Sequence, residues 1–219
     1  RSCLASCILA ATAAHAPAHA ADKPLKIGVV TEFSGTYASA AQSIESAMRA
    51  YMKLNGDTVA GRKVELILRD TGGISPENAR RYAQELVTRD KVDALVGFNF
   101  TPNALAAAPI ATAAKTPMIA LAATAIVTEK SPYIVRTAFT LGQTSAPMAT
   151  WAARNGIKRV FSLVSDYGPG HDAAQAFKDA FTAAGGQMAG EIRMPVSGME
   201  FAPFLQRARD ARADAIFVF

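Results

Sequence analysis

Short aliphatic runs alternate with helical patterns along almost the whole chain, and this alternation limits the fold more than any other feature. Strands read at Lys26 to Val30 (KIGVV), Val64 to Arg69, Ala94 to Gly97, Pro117 to Leu121, Tyr133 to Arg136, Arg159 to Val164, Gln187 to Val196 and Ala213 to Phe219. Between them lie helix-period stretches. Ile44, Met48, Tyr51 and Met52 form one apolar face that stops at Asn55-Gly56, and Ser75-Pro76 starts a second helix faced by Ala79, Tyr82, Ala83, Leu86 and Val87. A third runs from Thr101-Pro102 to about Ala114 with a kink at Pro109, and others cover about Ser145 to Arg154, the stretch up to Ala184, and Phe201 to Ala211. Repeated β-α units predict an α/β fold of parallel sheets with helices on both faces.

The units divide in two around "YIVRTAFTLGQTSAP", where a strand runs into a polar stretch without a helix, so a hinge is expected there. The expected organisation is a leader over 1–20, a first α/β lobe over 21–138 and a second, incomplete lobe over 139–219. Residues 4–14 (LASCILAATAA) followed by Ala18-His19-Ala20 have the form of a secretory signal peptide with its charged start missing. The run is broken by Thr12, His15 and Pro17 and is too short to span a bilayer. The expected location is therefore extracytoplasmic, the periplasm. A lipid anchor at Cys7 in "LASC" is disfavoured because the apolar core follows that cysteine.

Cys3 and Cys7 both lie in this leader, so no disulfide, thiol nucleophile or cysteine metal site is expected after Ala20. Three histidines, two of them in the leader, supply no zinc triad. Lys and Arg outnumber Asp and Glu by only 23 to 18, without basic runs, which argues against a nucleic-acid partner. No cofactor is expected.

Open α/β sheets bind ligands beyond the carboxyl ends of their strands, which directs attention to loops 31–43, 98–103, 122–128 and 165–171. Gly168-x-Gly170-x-x-Ala173 matches a dinucleotide turn, with Glu191 as its ribose acid, yet Asp166 and Tyr167 separate it from the strand and put a phenol where phosphate needs backbone. The glycines are better read as presenting Tyr167 to a cleft. Asp166 and His171 are the only candidates for hydrolytic chemistry, and no G-x-S-x-G elbow accompanies them. In "FNFTPN", Thr101 at a helix N-cap offers a hydroxyl and free amides that suit a carboxylate; equally, it can simply cap its own helix. In "LAATAIVTEK", Ala122 and Ala123 allow close backbone approach and Thr124 adds a hydroxyl.

"DTGGISPENARRYAQELVTRDKVDALVG", "YIVRT", "NGIKRVFSLVSDYGPG" and "FAPFLQRARDARADAIFVF" together resemble the periplasmic receptors of branched-chain amino acid (Leu/Ile/Val) ABC transporters, in the same order and at similar spacing. The resemblance spans Lys26 to Phe219. It implies the type I periplasmic-binding-protein fold of two doubly wound parallel-sheet lobes joined by a hinge, with the C-terminal part missing. It also implies a monomer that captures a small solute and hands it to an ATP-driven permease, without catalysis. By position, Thr101 would hold a ligand carboxylate, Ala122, Ala123 and Thr124 would supply backbone and hydroxyl groups, and Tyr167 would close over the ligand, with Phe100 lining the pocket. The resemblance implies a branched-chain or other amino acid as ligand, whereas a small first loop ("TYASAA", Ala40), with Tyr37 nearby and Phe98 and Phe100 flanking Thr101, departs from that pattern and suits an aromatic or larger aliphatic acid. The acid that would hold an α-ammonium falls beyond Phe219. A ligand-sensing domain of a regulator, or a hydrolase using Asp166 and His171, are the alternatives from other classes.

Overall fold

The computed structural model describes residues 23–196 and 200–219; the proposed leader and both cysteines lie outside them. Two sheets form. The first contains β1 (Leu25–Thr31), β2 (Thr58–Val59), β3 (Arg62–Asp70), β4 (Ala94–Gly97), β5 (Met118–Ala120) and β6 (Ile134–Arg136), in the spatial order β2-β3-β1-β4-β5-β6. All its pairs are parallel except the short β2–β3 hairpin. The second places β7 (Arg159–Ser165) between β8 (Gln187–Met194) and β9 (Ala215–Val218), all parallel.

Strands buried on both faces are largely apolar, as Val29 and Val30 of β1 and Val160, Phe161, Leu163 and Val164 of β7 illustrate. On one face of the first sheet, α2 (Pro76–Glu85, continued by a π turn Leu86–Asp90) packs beside α3 (Thr101–Ala113). Ala79 and Ala83 of α2 meet Ala104, Ala107, Ala108 and Ala111 of α3 over Val30, Leu95 and Met118, and the small side chains let the helices sit close. Ser75 caps α2 by accepting from Asn78 N, with proline at the first helical position. In the second sheet, α5 (Leu141–Arg154) and α6 (Gly168–Ala183) cover one face through Ala149, Ala173 and Phe177, and α7 (Ala202–Asp210) covers the other through Ala208.

Three local readings need correction. Helix α5 begins at Leu141 rather than Ser145, because Thr140 accepts from Gln143 N while Gln143 Oε1 accepts from Thr140 N, a reciprocal cap. The link from β6 of the first sheet to α5 of the second half is therefore only residues 137–140. The β2–β3 hairpin and the short α4 (Ile126–Glu129) are additional elements, the hairpin turning through Ala60 and Gly61 at positive φ. Finally, α1 (Ala38–Asn55) forms, but only Ala41 of its residues is buried, and Tyr51 is 69% exposed. An apolar groove of about 430 Å³ lies between α1 and Leu25, Ile27, Val64 and Leu66.

Candidate ligand-binding site

The loop from β4 to α3 is set by one backbone kink. At Gly97, φ is +110°, and a Cβ there would run into the Val30 carbonyl oxygen. Phe98 follows at φ +52°, also left-handed, and its N–H donates to Val30 O at 2.7 Å. This strained pair makes four successive side chains diverge. Phe98 drops into the first core, Asn99 Nδ2 donates to Glu32 Oε1 at 2.6 Å, the Phe100 ring meets Tyr37 edge-on at 4.9 Å, and Thr101 Oγ1 lies 2.7 Å from Thr124 Oγ1. Of the two phenylalanines, then, only Phe100 stays near the loop surface. Thr101 is the first helical residue and Phe100 the N-cap, so Thr101 does not cap its own helix; its hydroxyl is committed across to Thr124.

The loop after β5 brings the second hydroxyl. Ala122 is buried in the first core, whereas Ala123 packs against the core of the second sheet, so the two alanines lie between the halves of the chain. Arg136, at the end of β6, donates from Nη1 to the carbonyls of Thr124 (3.0 Å) and Ala125 (3.3 Å), which fixes the turn that carries Thr124. Thr101 and Thr124 are 2% and 3% exposed.

From the second sheet, α6 presents its first turn to the same two hydroxyls. A Cβ on Gly168 would lie 3.6 Å from Thr101 Cγ2 and 3.9 Å from Thr124 Oγ1, ordinary contact distances. Two helix N-termini, of α3 and α6, thus converge on one hydroxyl pair, each with unpaired amides and a positive dipole end. Gly170 serves a different need: a Cβ there would collide with the Ser165 carbonyl, so this glycine admits β7 backbone, not a phosphate. Asp172 Oδ2 accepts from Ala125 N at 3.3 Å, a further bridge between the halves. Tyr167 caps α6 in extended geometry, half-buried, with its ring 6.4 Å from Phe219; burial, with the Tyr37 hydroxyl nearby, pushes its phenol above the usual range.

Asp166 and His171 bond each other at 2.7 Å on the surface, and the neighbouring Ser165 Oγ donates to the Phe219 carbonyl at 3.1 Å rather than to His171. The structure brings Thr101, Thr124 and the start of α6 together, with Phe100 beside Tyr37 and Ala123 at the junction. Gly168 was read from the sequence as a turn glycine, whereas Glu32, Asn99, Asp172 and, as a loop anchor, Arg136 were not singled out by sequence reasoning. Only Glu32, a lone acid in the apolar "VVTEFSG", carried a local signal.

Residues 24–219 match the family model described as periplasmic binding protein. The chain is 44% identical over 212 residues to a Leu/Ile/Val-binding protein homolog 6 of Brucella abortus, covering 96% of this chain and 53% of that protein. Among solved structures, it is similar to an ABC transporter solute-binding protein of Rhodopseudomonas palustris BisB5 in complex with 3,4-dihydroxybenzoic acid (52% identity, TM-score 0.85, 90% of this chain and 54% of that one). A second R. palustris solute-binding protein, in complex with 4-hydroxybenzoate, is 45% identical with a TM-score of 0.87, over 90% of this chain and 54% of that one. The chain spans about half the length of the curated relatives it matches.

Proposed function

The chain belongs to the periplasmic binding protein family, and on that premise we propose that it carries the anion-gripping part of an extracytoplasmic solute-binding protein for a hydroxybenzoate-class aromatic acid. The protein would deliver this acid to an ABC-type membrane permease and would not transform it. One observation carries the reading: a buried pair of hydroxyls, Thr101 and Thr124, at the meeting point of two helix N-termini from the two sheets. Each hydroxyl now satisfies the other. An incoming carboxylate replaces that single neutral bond with two charge-assisted ones, aided by the amides at the start of α3 and the backbone of Ala122 and Ala123.

The aromatic wall supports a ring rather than a branched aliphatic chain. Tyr37 and Phe100 already pack edge to face, and Tyr167 approaches from the other sheet, so a benzene ring would find π faces on more than one side. In this reading 21–138 and 139–219 are lobes that close about residues 137–140, with Tyr167 and the first turn of α6 making contacts only in the closed form. Those contacts supply the differential affinity that shifts the equilibrium. The relative at 52% identity, solved with 3,4-dihydroxybenzoic acid, supports the same ligand class.

Calorimetry on the complete gene product carrying this chain, titrated with 4-hydroxybenzoate, 3,4-dihydroxybenzoate and leucine, tests the reading. Tight binding of the hydroxybenzoates, weakened by Thr101→Val, is expected. A protein that binds leucine and ignores both aromatic acids contradicts it.

A further inference from the structure

Glu32 is the largest charged side chain with no solvent exposure, at 0%. It stands immediately after β1, at the carboxyl end of the sheet where the candidate site lies. Burying a carboxyl group is costly unless donors surround it, and Glu32 has two, Thr31 Oγ1 at 2.7 Å and Asn99 Nδ2 at 2.6 Å. Neither is a cation, and Glu32 joins no ion pair among the described residues. Its removal from solvent therefore calls for a purpose, and the Asn99 bond indicates one. With one N–H of Asn99 tied to Glu32, the carboxamide is locked in one orientation, and its Oδ1 accepts from no group among the described residues.

The location gives this oriented amide its meaning. Asn99 shares the link between β4 and α3 with Phe100 and Thr101, in the stretch where Phe98 is diverted into the core. Two residues span about 7 Å at most, comparable with a benzene ring and its two para substituents. A ligand with its carboxylate on Thr101 and Thr124 and its ring against Tyr37 and Phe100 has its far end within reach of Asn99. Asn99 is part-buried there, so its Oδ1 stays open to a polar group of a ligand.

We propose that Asn99, held in place by the buried Glu32, reads the ring hydroxyl of the bound acid and sets the preference for hydroxylated over plain benzoates. Asn99 Oδ1 accepts from the phenolic O–H, and Glu32 acts through Asn99 as a positioning residue. This rests on the aromatic-acid reading above. A site built to bond a hydroxyl rejects the ligand lacking it far more strongly than an apolar pocket can, because its own polar group is then left unpaired.

The test compares 4-hydroxybenzoate with benzoate on the complete protein and on its Asn99→Leu and Glu32→Gln variants, with thermal unfolding to verify folding. The intact protein is expected to prefer 4-hydroxybenzoate by about 100-fold or more. Asn99→Leu should erase that ratio while leaving benzoate affinity unchanged or improved, and Glu32→Gln should reduce the ratio about 10-fold. If benzoates bind and Asn99→Leu keeps the full ratio, the assignment of Asn99 is overturned and the aromatic-acid reading stands. If the intact protein binds neither benzoate, the aromatic-acid reading fails first and this assignment with it. Asn99→Leu also strips Glu32 of one of its two donors, so an Asn99→Leu, Glu32→Leu double variant, which leaves no buried carboxyl, is measured beside it and should lose the ratio equally; a double variant that keeps the ratio overturns the assignment.

Discussion

The two halves of the chain contribute to the junction in opposite styles. The first sheet supplies groups held rigidly: a left-handed kink at Gly97 and Phe98, Arg136 on two carbonyls, Asp70 accepting from the amides of Phe33, Ser34 and Gly72, and Asn103 tying residues 73 and 75 to α3. The second sheet brings a glycine, a half-buried tyrosine and two long hydrogen bonds, Ala125 N to Asp172 Oδ2 at 3.3 Å and Leu141 N to the Ala123 carbonyl at 3.4 Å. The difference teaches a division of labour. In the proposed function the first sheet would fix where the ligand's charge sits, and the second would need only to arrive, with contacts that can be broken and remade.

If that division holds, breaking the rigid side should cost the fold and breaking the mobile side should cost only closure. Gly97→Val combines a forbidden φ with a collision at the Val30 carbonyl, and should lower unfolding free energy by about 3 kcal/mol or more, read from urea denaturation. Thr101→Val or Thr124→Val should reduce carboxylate affinity about 10- to 100-fold with little loss of stability, by calorimetry. Tyr167→Ala should act on the other side, raising the ligand dissociation rate about 10-fold in stopped-flow while the association rate changes little.

Titration sharpens the same contrast. Burial alone would raise the Asp70 pKa, but donation from the Ser34 side chain and from the Gly72, Ser34 and Phe33 amides outweighs it and holds the carboxyl below its ordinary value of 3.8. A depressed folded pKa gives stability that is present above the unfolded value and lost as pH falls through the folded one. The protein should therefore lose stability as pH falls below 3.8 and through the lower folded value, and Asp70→Asn should flatten that part of the curve. The smallest effect is expected at Ser162, whose hydroxyl is fully buried in β7 without a hydrogen-bond partner among the described residues. Ser162→Ala should be neutral or stabilise by about 1 kcal/mol in a thermal melt.

The parts of the fold legible in the sequence are those with local causes. Parallel strands read as unbroken apolar runs, and Ser75-Pro76 and Asn155-Gly156 mark helix ends by chemistry that acts within four residues. The start of α5 was hidden because Gly142 and Pro147 lower the helical appearance of a segment that Thr140 and Gln143 nonetheless cap. The β2–β3 turn was hidden because Ala60, not a glycine or asparagine, takes the first of its two positive-φ positions, ahead of Gly61. Thr101 and Thr124 were reachable through family resemblance, since neither spacing nor composition links residues 23 apart. Glu32 and Asn99 are 67 apart, and only the parallel register that pairs Val30 with Gly97 sets them side by side. Pairings of that kind are made by topology, which no local pattern encodes.

The most direct measurement is a crystal structure of the complete protein with 4-hydroxybenzoate bound. The account predicts the carboxylate within about 3 Å of both Thr101 Oγ1 and Thr124 Oγ1, their mutual bond opened, with the first turn of α6 and Tyr167 closed over the ring. A bound ligand that leaves the Thr101–Thr124 bond intact, or whose carboxylate lies on another surface, would contradict it.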